Sequence, residues 1–255
     1  MSKLFPAVLC AMIFIMSGLL ANPTNVKADE SKALTDAQTK QVEQLIEKYL
    51  DENPEVVIQA IHKYQQQQEE EQRLRQVHNL ESMRELLERS DTSPVRGNPE
   101  GDVTLVEFFD YRCGYCKRVH STVTDTVKAD GNVRLVYKEF PVLGPESVYL
   151  ARASLGIFFT NPDKYSAFHD ALITSRGQLN PARVMSIAED IGLKAADVEA
   201  GMKDPRVDEE IQRNIQMARS LGINGTPGFV IGSAIVPGAV DEDALKSFIA
   251  QARKG

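Results

Sequence analysis

Cysteine is scarce in this chain, with three among 255 residues. That scarcity argues against a disulfide framework, because a secreted scaffold of that kind needs several bridges. A zinc site has little support. Cys113 and Cys116 would need two more nitrogen or sulfur ligands, and no second close pair exists. A c-type haem would need histidine directly after Cys116, where Lys117 stands. Basic runs are also missing. With a net charge of -7, this argues against a general nucleic-acid binder. Tryptophan is absent, which excludes nothing. Hydrophobic content of 42% and charged content of 25% are ordinary for a globular chain, whose length allows one large domain or two modest ones.

What is present begins at the N-terminus. Lys3 precedes an uncharged stretch from Leu4 to Leu20, and Val26-Lys27-Ala28 offers small residues where a signal peptidase reads. The expectation is a secretory signal over residues 1–28, cleaved after Ala28 or after Ala21, and hence an exported protein. The bland alternative is an uncleaved anchor, but the stretch is near the lower limit for spanning and Pro6 interrupts it. Lipid attachment at Cys10 is disfavoured by bulky Leu9. Cleavage would leave only Cys113 and Cys116.

Residues 29–64 read as a helical oligomerisation segment. Leu34, Val42, Leu45, Ile46 and Tyr49 recur at helical spacing, with Thr35 or Asp36 as cap. Asn53-Pro54 breaks the pattern, and Val56, Val57, Ala60, Ile61 and Tyr64 form a second apolar face. Two short helices cannot bury both faces on each other. A second copy is the expected partner, giving a homodimer; folding back onto the same chain is the alternative. Residues 65–94 read as a polar helical stalk with a thin seam of Leu74, Val77, Met83, Leu86 and Leu87. Ser93-Pro94, Gly97 and Asn98-Pro99 mark a boundary, so the main domain covers residues 95–255.

Within that domain, Val103 to Phe109 reads as a buried strand, Cys113 to about Lys128 as a helix, and Val133 to Phe140 as the next strand. A helical block fills about 145–221. Phe229 to Val236 reads as a hairpin, and Asp241 caps a final helix. The order implies an α/β protein with a mixed sheet and a helical insertion.

Cys113-Gly114-Tyr115-Cys116 carries the chemistry. Two thiols two residues apart at a strand-to-helix junction can close a small ring and open it again. Cys113, expected to be exposed at the helix start, would be the nucleophile, because unpaired N–H groups and the helix dipole favour a thiolate there. Cys116, inside the helix, would resolve a mixed disulfide. An inert local bridge is the bland reading, but so short a loop adds little stability. Glu107 lies in an otherwise apolar strand. Buried, it would have a raised pKa and could exchange the proton of Cys116; alternatively it faces water. Lys138 on the neighbouring strand is a candidate partner for Glu107. Arg112 and Lys117 could add positive potential or simply be solvated. His120 could tune Cys113, although a partly exposed histidine without a role is the commoner case. Tyr115 is expected to be exposed as a client contact.

Glu107 to Cys116, together with Gly225-Thr226-Pro227 before a hairpin, resembles the DsbA family of periplasmic thiol oxidoreductases. The resemblance covers about residues 95–255 and implies a thioredoxin fold with an inserted helical domain. The Gly-Tyr dipeptide, the Thr before proline and the N-terminal segment are similar to DsbC-type isomerases instead, and the combination resembles dimeric DsbA-like proteins. The resemblance implies a cis bond at Pro227 and an acid at Glu107. It also implies that Thr226, Pro227, Gly114 and Tyr115 contact the substrate, with the Thr226 backbone pairing with a client strand.

The expected activity is formation and isomerisation of disulfides in exported proteins, with the Cys113–Cys116 disulfide as the only redox group. The implied partners are unfolded or misfolded cysteine-containing clients and a membrane redox protein of DsbB or DsbD type. The rival is a chaperone or surface-associated binding protein that uses a dimer cleft. A Cys113→Ser variant separates the two.

Overall fold

Every residue from Val103 to Phe109 is buried, a run that only a central strand covered on both faces explains. The structure, a computed structural model, describes residues 33–254. The expected signal segment, its cleavage site and Cys10 lie outside the described residues. The chain divides after His62 into two units.

The first unit holds α1 (Asp36–Glu52) and the opening turns of α2 (Glu55–Glu88). Thr35 caps α1 and forms a reciprocal pair with Gln38, the two-donor arrangement expected at a helix start. Asn53 ends α1, so the Asn-Pro break falls between the helices. No residue of α1 is buried. Leu45, Ile46, Tyr49, Val57, Ile58 and Ile61 are all exposed.

The second unit contains the rest of α2, then β1 (Val95–Gly97), β2 (Val103–Phe109), α3 (Gly114–Asp130) and β3 (Val133–Glu139). Five helices follow: α4 (Pro145–Thr160), α5 (Pro162–Thr174), α6 (Pro181–Asp190), α7 (Ala195–Gly201) and α8 (Pro205–Ser220). Proline opens α4, α5, α6 and α8, where its missing N–H costs no helix bond. The chain ends with β4 (Gly228–Ile231), β5 (Ala234–Pro237) and α9 (Glu242–Ala252), the last capped by Asp241.

The sheet order is β1-β3-β2-β4-β5. Only β2 and β3 run parallel; the other pairs are antiparallel. The chain is therefore a mixed α/β protein with a helical insertion between β3 and β4. Side chains alternate across the sheet. Leu105 and Phe109 join Leu135 and Tyr137 in the core that also contains Cys116, Val119 and Val123 of α3. Val106, Phe108 and Val136 pack on the other face with Leu80 and Leu87 of α2 and Met217 and Ala218 of α8.

Two sequence expectations change here. Residues 65–94 are not a solvated stalk throughout, because Leu80 and Leu87 are buried against the sheet with Met83 beside them. Fully burying a leucine side chain contributes about 2 kcal/mol, enough to dock the helix. Leu74, Val77 and Leu86 of the expected seam are exposed instead. The second change is β1, which lies in the expected boundary. It pairs with β3 through Val95–Val136 and Gly97–Arg134. Three residues are too few to display alternation.

The insertion has one very close helix crossing. A Cβ added at Gly156 of α4 would stand 2.5 Å from the Gly201 carbonyl carbon, so only glycine permits this approach of α4 to α7. Between α8 and the sheet, Lys138 Nζ donates to Leu86 O (2.8 Å) and Ser93 Oγ (2.6 Å) and lies 3.8 Å from Glu210. Thr92, Ser93 and Arg213 also bond to the Glu210 carboxylate.

Candidate active site

The turn after β2 is fixed by Asp110, a buried residue to which the sequence reading gave no role. Its carboxylate accepts from Arg112 N (2.8 Å), Val142 N (2.9 Å), Leu143 N (3.0 Å) and Ser147 Oγ (2.8 Å). Its carbonyl accepts from Cys113 N at 3.0 Å. These bonds join the end of β2 to the entry of α4 and set where α3 begins.

Cys113 is the N-cap of α3, and its sulfur accepts from Cys116 N at 3.5 Å. The same sulfur donates its proton to Thr226 O at 3.1 Å. The Thr226–Pro227 peptide bond is cis. Both cysteines are free thiols. Cys113 is only 7% exposed, against the expectation of an open sulfur, because the loop before β4 covers it. Its neighbours Gly114 and Tyr115 are exposed, Tyr115 at 58%. The Arg118 guanidinium stacks over the Tyr115 ring at 4.1 Å.

Cys116 is 1% exposed. Burial pushes its thiol well above the usual range, and the nearby Glu107 carboxyl adds to the shift. Glu107 is itself buried, with one carboxylate oxygen lacking a partner. Burial alone raises its pKa from 4.5 to about 8. The water-facing alternative for Glu107 is thus overturned.

Lys138 does not pair with Glu107. In the parallel register Glu107 stands beside Tyr137 and Phe108 beside Lys138, so the two charges leave opposite faces of the sheet. His120 is not partly exposed either. It is buried on the core face of α3, with Nε2 3.1 Å from Asp170. Its place in the stripe Cys116, Val119, His120, Val123 and Val127 was a readable signal. Beside it, His169 shares a 2.8 Å hydrogen bond with Tyr111 OH, which also meets Ser154 Oγ at 2.7 Å. Burial lowers the His169 pKa to about 3, so this ring is neutral.

Among the described residues, His120, His169 and Asp170 form one group whose ligand atoms lie within 4.8 Å of one another. Arg96 already holds both Asp170 oxygens, at 2.6 and 2.9 Å. That network satisfies the carboxylate without a metal. Arg112 donates to Leu143 O and pairs with Glu146 at 2.7 Å, while Lys117 reaches Ser175 O at 2.8 Å.

The arrangement offers a thiol at a helix start, a second thiol one turn inside, a buried acid next to the second, and a backbone carbonyl against the first. Comparison with known proteins gives consistent findings. The family model described as DSBA-like thioredoxin domain matches residues 104–250. A second, copper resistance protein ScsC N-terminal domain, matches residues 38–71. Among solved structures, a thioredoxin-like oxidoreductase from Silicibacter pomeroyi is 45% identical with a TM-score of 0.65, covering 68% of this chain and 98% of that one. Proteus mirabilis ScsC in a transitional conformation is 30% identical with a TM-score of 0.64, covering 87% of this chain and 99% of that one. A curated relative, the Na(+)/H(+) antiporter NhaA 1 of Salinispora arenicola, is 26% identical over 165 residues. The match covers 65% of this chain but 25% of the antiporter, so the chain spans about a quarter of that relative's length. Among the described residues no helix is long and apolar enough to cross a membrane.

Proposed function

The chain belongs to the DsbA-like thioredoxin-domain family of thiol–disulfide oxidoreductases, and from that premise we propose that it exchanges disulfides with exported proteins in the periplasm, isomerising wrong bridges and also forming new ones. One observation carries the reading. Cys113 Sγ sits at the start of α3, 3.1 Å from Thr226 O, with Cys116 one turn inside.

In the reductive direction the Cys113 thiolate attacks one sulfur of a client disulfide. The client S–S bond breaks, one client thiolate leaves, and a Cys113–client disulfide forms. Two fates follow. A second client thiolate can attack the client sulfur, which releases a reshuffled client and leaves the pair reduced. Alternatively Cys116 gives its proton to the Glu107 carboxylate and attacks Cys113. The client is then reduced by two electrons and the Cys113–Cys116 disulfide forms. A carboxyl poised near 8 can take that proton and return it when the cycle reverses. The Thr226 backbone and Pro227 receive an extended client strand, as a sheet edge would, and exposed Gly114 and Tyr115 add contacts.

The exposed apolar face of the N-terminal unit supports self-association through residues 29–64 as a homodimer. Two sites held together suit isomerisation of a misfolded client. A membrane partner of DsbB or DsbD type would reset the pair, and which of the two serves decides the direction.

The test uses Cys116→Ser and Cys113→Ser. The first should accumulate a client-linked species through Cys113, seen by mass spectrometry without reductant; the second should form none. Insulin reduction by Cys113→Ser would overturn the assignment. Deleting residues 29–64 should leave a folded monomer that reduces insulin but no longer repairs scrambled bridges. Light scattering that reports an unchanged oligomer would remove the dimer.

A further inference from the structure

We propose that the cavity beside the cysteine pair is a client subsite that takes an apolar side chain together with an acidic one while Cys113 holds the client sulfur. The inference rests on the exchange reading above and adds to it a preference for sequence around the client cysteine.

The cavity has a volume of about 590 Å³ and lies between the start of α3, the start of α4 and the turn into α6. That is ample for a large side chain. Tyr149, Leu150, Leu179 and Pro181 supply apolar walls, and two cations, Arg112 and Lys117, and one carboxylate, Glu146, stand among them. Both cations are tied to the reacting sulfur by the backbone. Arg112 directly precedes Cys113, and Lys117 N bonds to Cys113 O at 3.1 Å. Neither Thr226 nor Pro227 lines the cavity. What it holds is therefore a stretch of client other than the one that pairs with the Thr226 backbone.

The charge left over in the wall points to the chemistry of the occupant. The Arg112 guanidinium is already neutralised by Glu146 at 2.7 Å. Lys117 is not so provided. It is half-buried, and its ammonium donates to the Ser175 carbonyl at 2.8 Å; no carboxylate among the described residues forms a salt bridge with it. An ammonium has three donors, and a carbonyl compensates its charge only in part. Burial holds the Lys117 pKa below its usual value, with no acid acting against it. A client carboxylate would complete this pair in a partly desolvated place, where it counts for more than on an open surface. The apolar walls beside it gain by covering an aromatic or aliphatic side chain.

The experiment uses the full-length reduced protein and short peptides, each carrying one cysteine in mixed disulfide with a chromogenic thiol. The flanking residues are Phe-Glu, Phe-Lys, Ser-Glu or Ser-Ser. A small aromatic disulfide without peptide gives the reference rate. Relative to that reference, Phe-Glu should react about tenfold faster than Phe-Lys, the scale of one charge-assisted hydrogen bond. Lys117→Glu should invert the order of those two peptides. Tyr149→Ala should reduce the advantage of Phe-Glu over Ser-Glu. Equal rates across the series with the small disulfide still reduced would overturn the subsite and leave the exchange reading intact. Failure to reduce the small disulfide at all would overturn both.

Discussion

Replacing Glu107 with glutamine removes one titrating group from the core while keeping its shape. In the unfolded chain this carboxyl ionises near 4.5; in the folded chain burial raises its pKa to about 8. Between those values the unfolded state has released a proton that the folded state still holds. Stability must therefore fall as pH rises through the window, and the group exacts no penalty below its unfolded pKa. From about pH 5 to about pH 7.5, at about 1.4 kcal/mol per unit, the wild type should lose about 3 kcal/mol that the variant does not lose. The assay is guanidinium unfolding of both proteins at the two pH values, with the cysteine pair kept reduced. Other titrating groups are common to both proteins and cancel. A buried amide has its own cost, but that cost does not change with pH and cancels as well. A wild-type minus variant difference that is flat between the two pH values would refute the burial argument. A difference of opposite sign would mean that a cation stabilises the carboxylate.

Three further outcomes follow from the packing. Gly156→Ala should cost about 1–3 kcal/mol in chemical denaturation, because its methyl would meet the Gly201 backbone at 2.5 Å and α4 must move off α7. Leu87→Ala should cost about 2–5 kcal/mol by the same measurement, since the side chain is fully buried under the sheet; a change below about 0.5 kcal/mol would return this part of α2 to the role of a solvated stalk. Glu210→Ala leaves the Lys138 ammonium buried without its carboxylate and should cost about 3–5 kcal/mol, read from the shift in unfolding midpoint at constant slope.

Much of the architecture was legible because its signals are local. The Cys113–Cys116 motif, the apolar run of β2, the hairpin near Phe229 and the Asp241 cap each announce themselves within a few residues. What failed was tertiary. Lys138 looked like a partner for Glu107 because both stand on neighbouring strands, yet the β2–β3 register decides the face and a one-residue offset reverses it. β1 has only three residues and acquires its identity from β3. Leu80 was missed as a docking residue because its neighbours are polar, although Leu80, Met83 and Leu87 follow helical spacing. His120 was undervalued for a different reason. Histidine is often exposed, but the apolar stripe of Cys116, Val119, Val123 and Val127 around His120 marks it as buried. The cavity beside Cys113 has no sequence signature, since α3, α4 and the turn into α6 each contribute only part of its wall.

The separation of Glu107 from Lys138 has a chemical consequence. Had the two met, the ammonium would have held the carboxyl ionised and the acid would be a poor proton donor at neutral pH. Period-two alternation sends them apart instead. Lys138 goes to Glu210, Ser93 and the Leu86 carbonyl, where it joins α2 and α8 to the sheet. Glu107 stays on the α3 face with no cation, so its apolar surroundings alone set its affinity for a proton. The same burial raises the Cys116 thiol beside it. In the proposed exchange a deprotonated Cys116 would sit in a place that resists charge, so its attack on Cys113 would draw on the ionised fraction of Glu107, which grows as pH approaches 8. Glu107 is the carboxyl the sheet puts beside it, and on the proposed exchange a change that lets water reach Glu107 should lower its pKa and weaken that proton transfer.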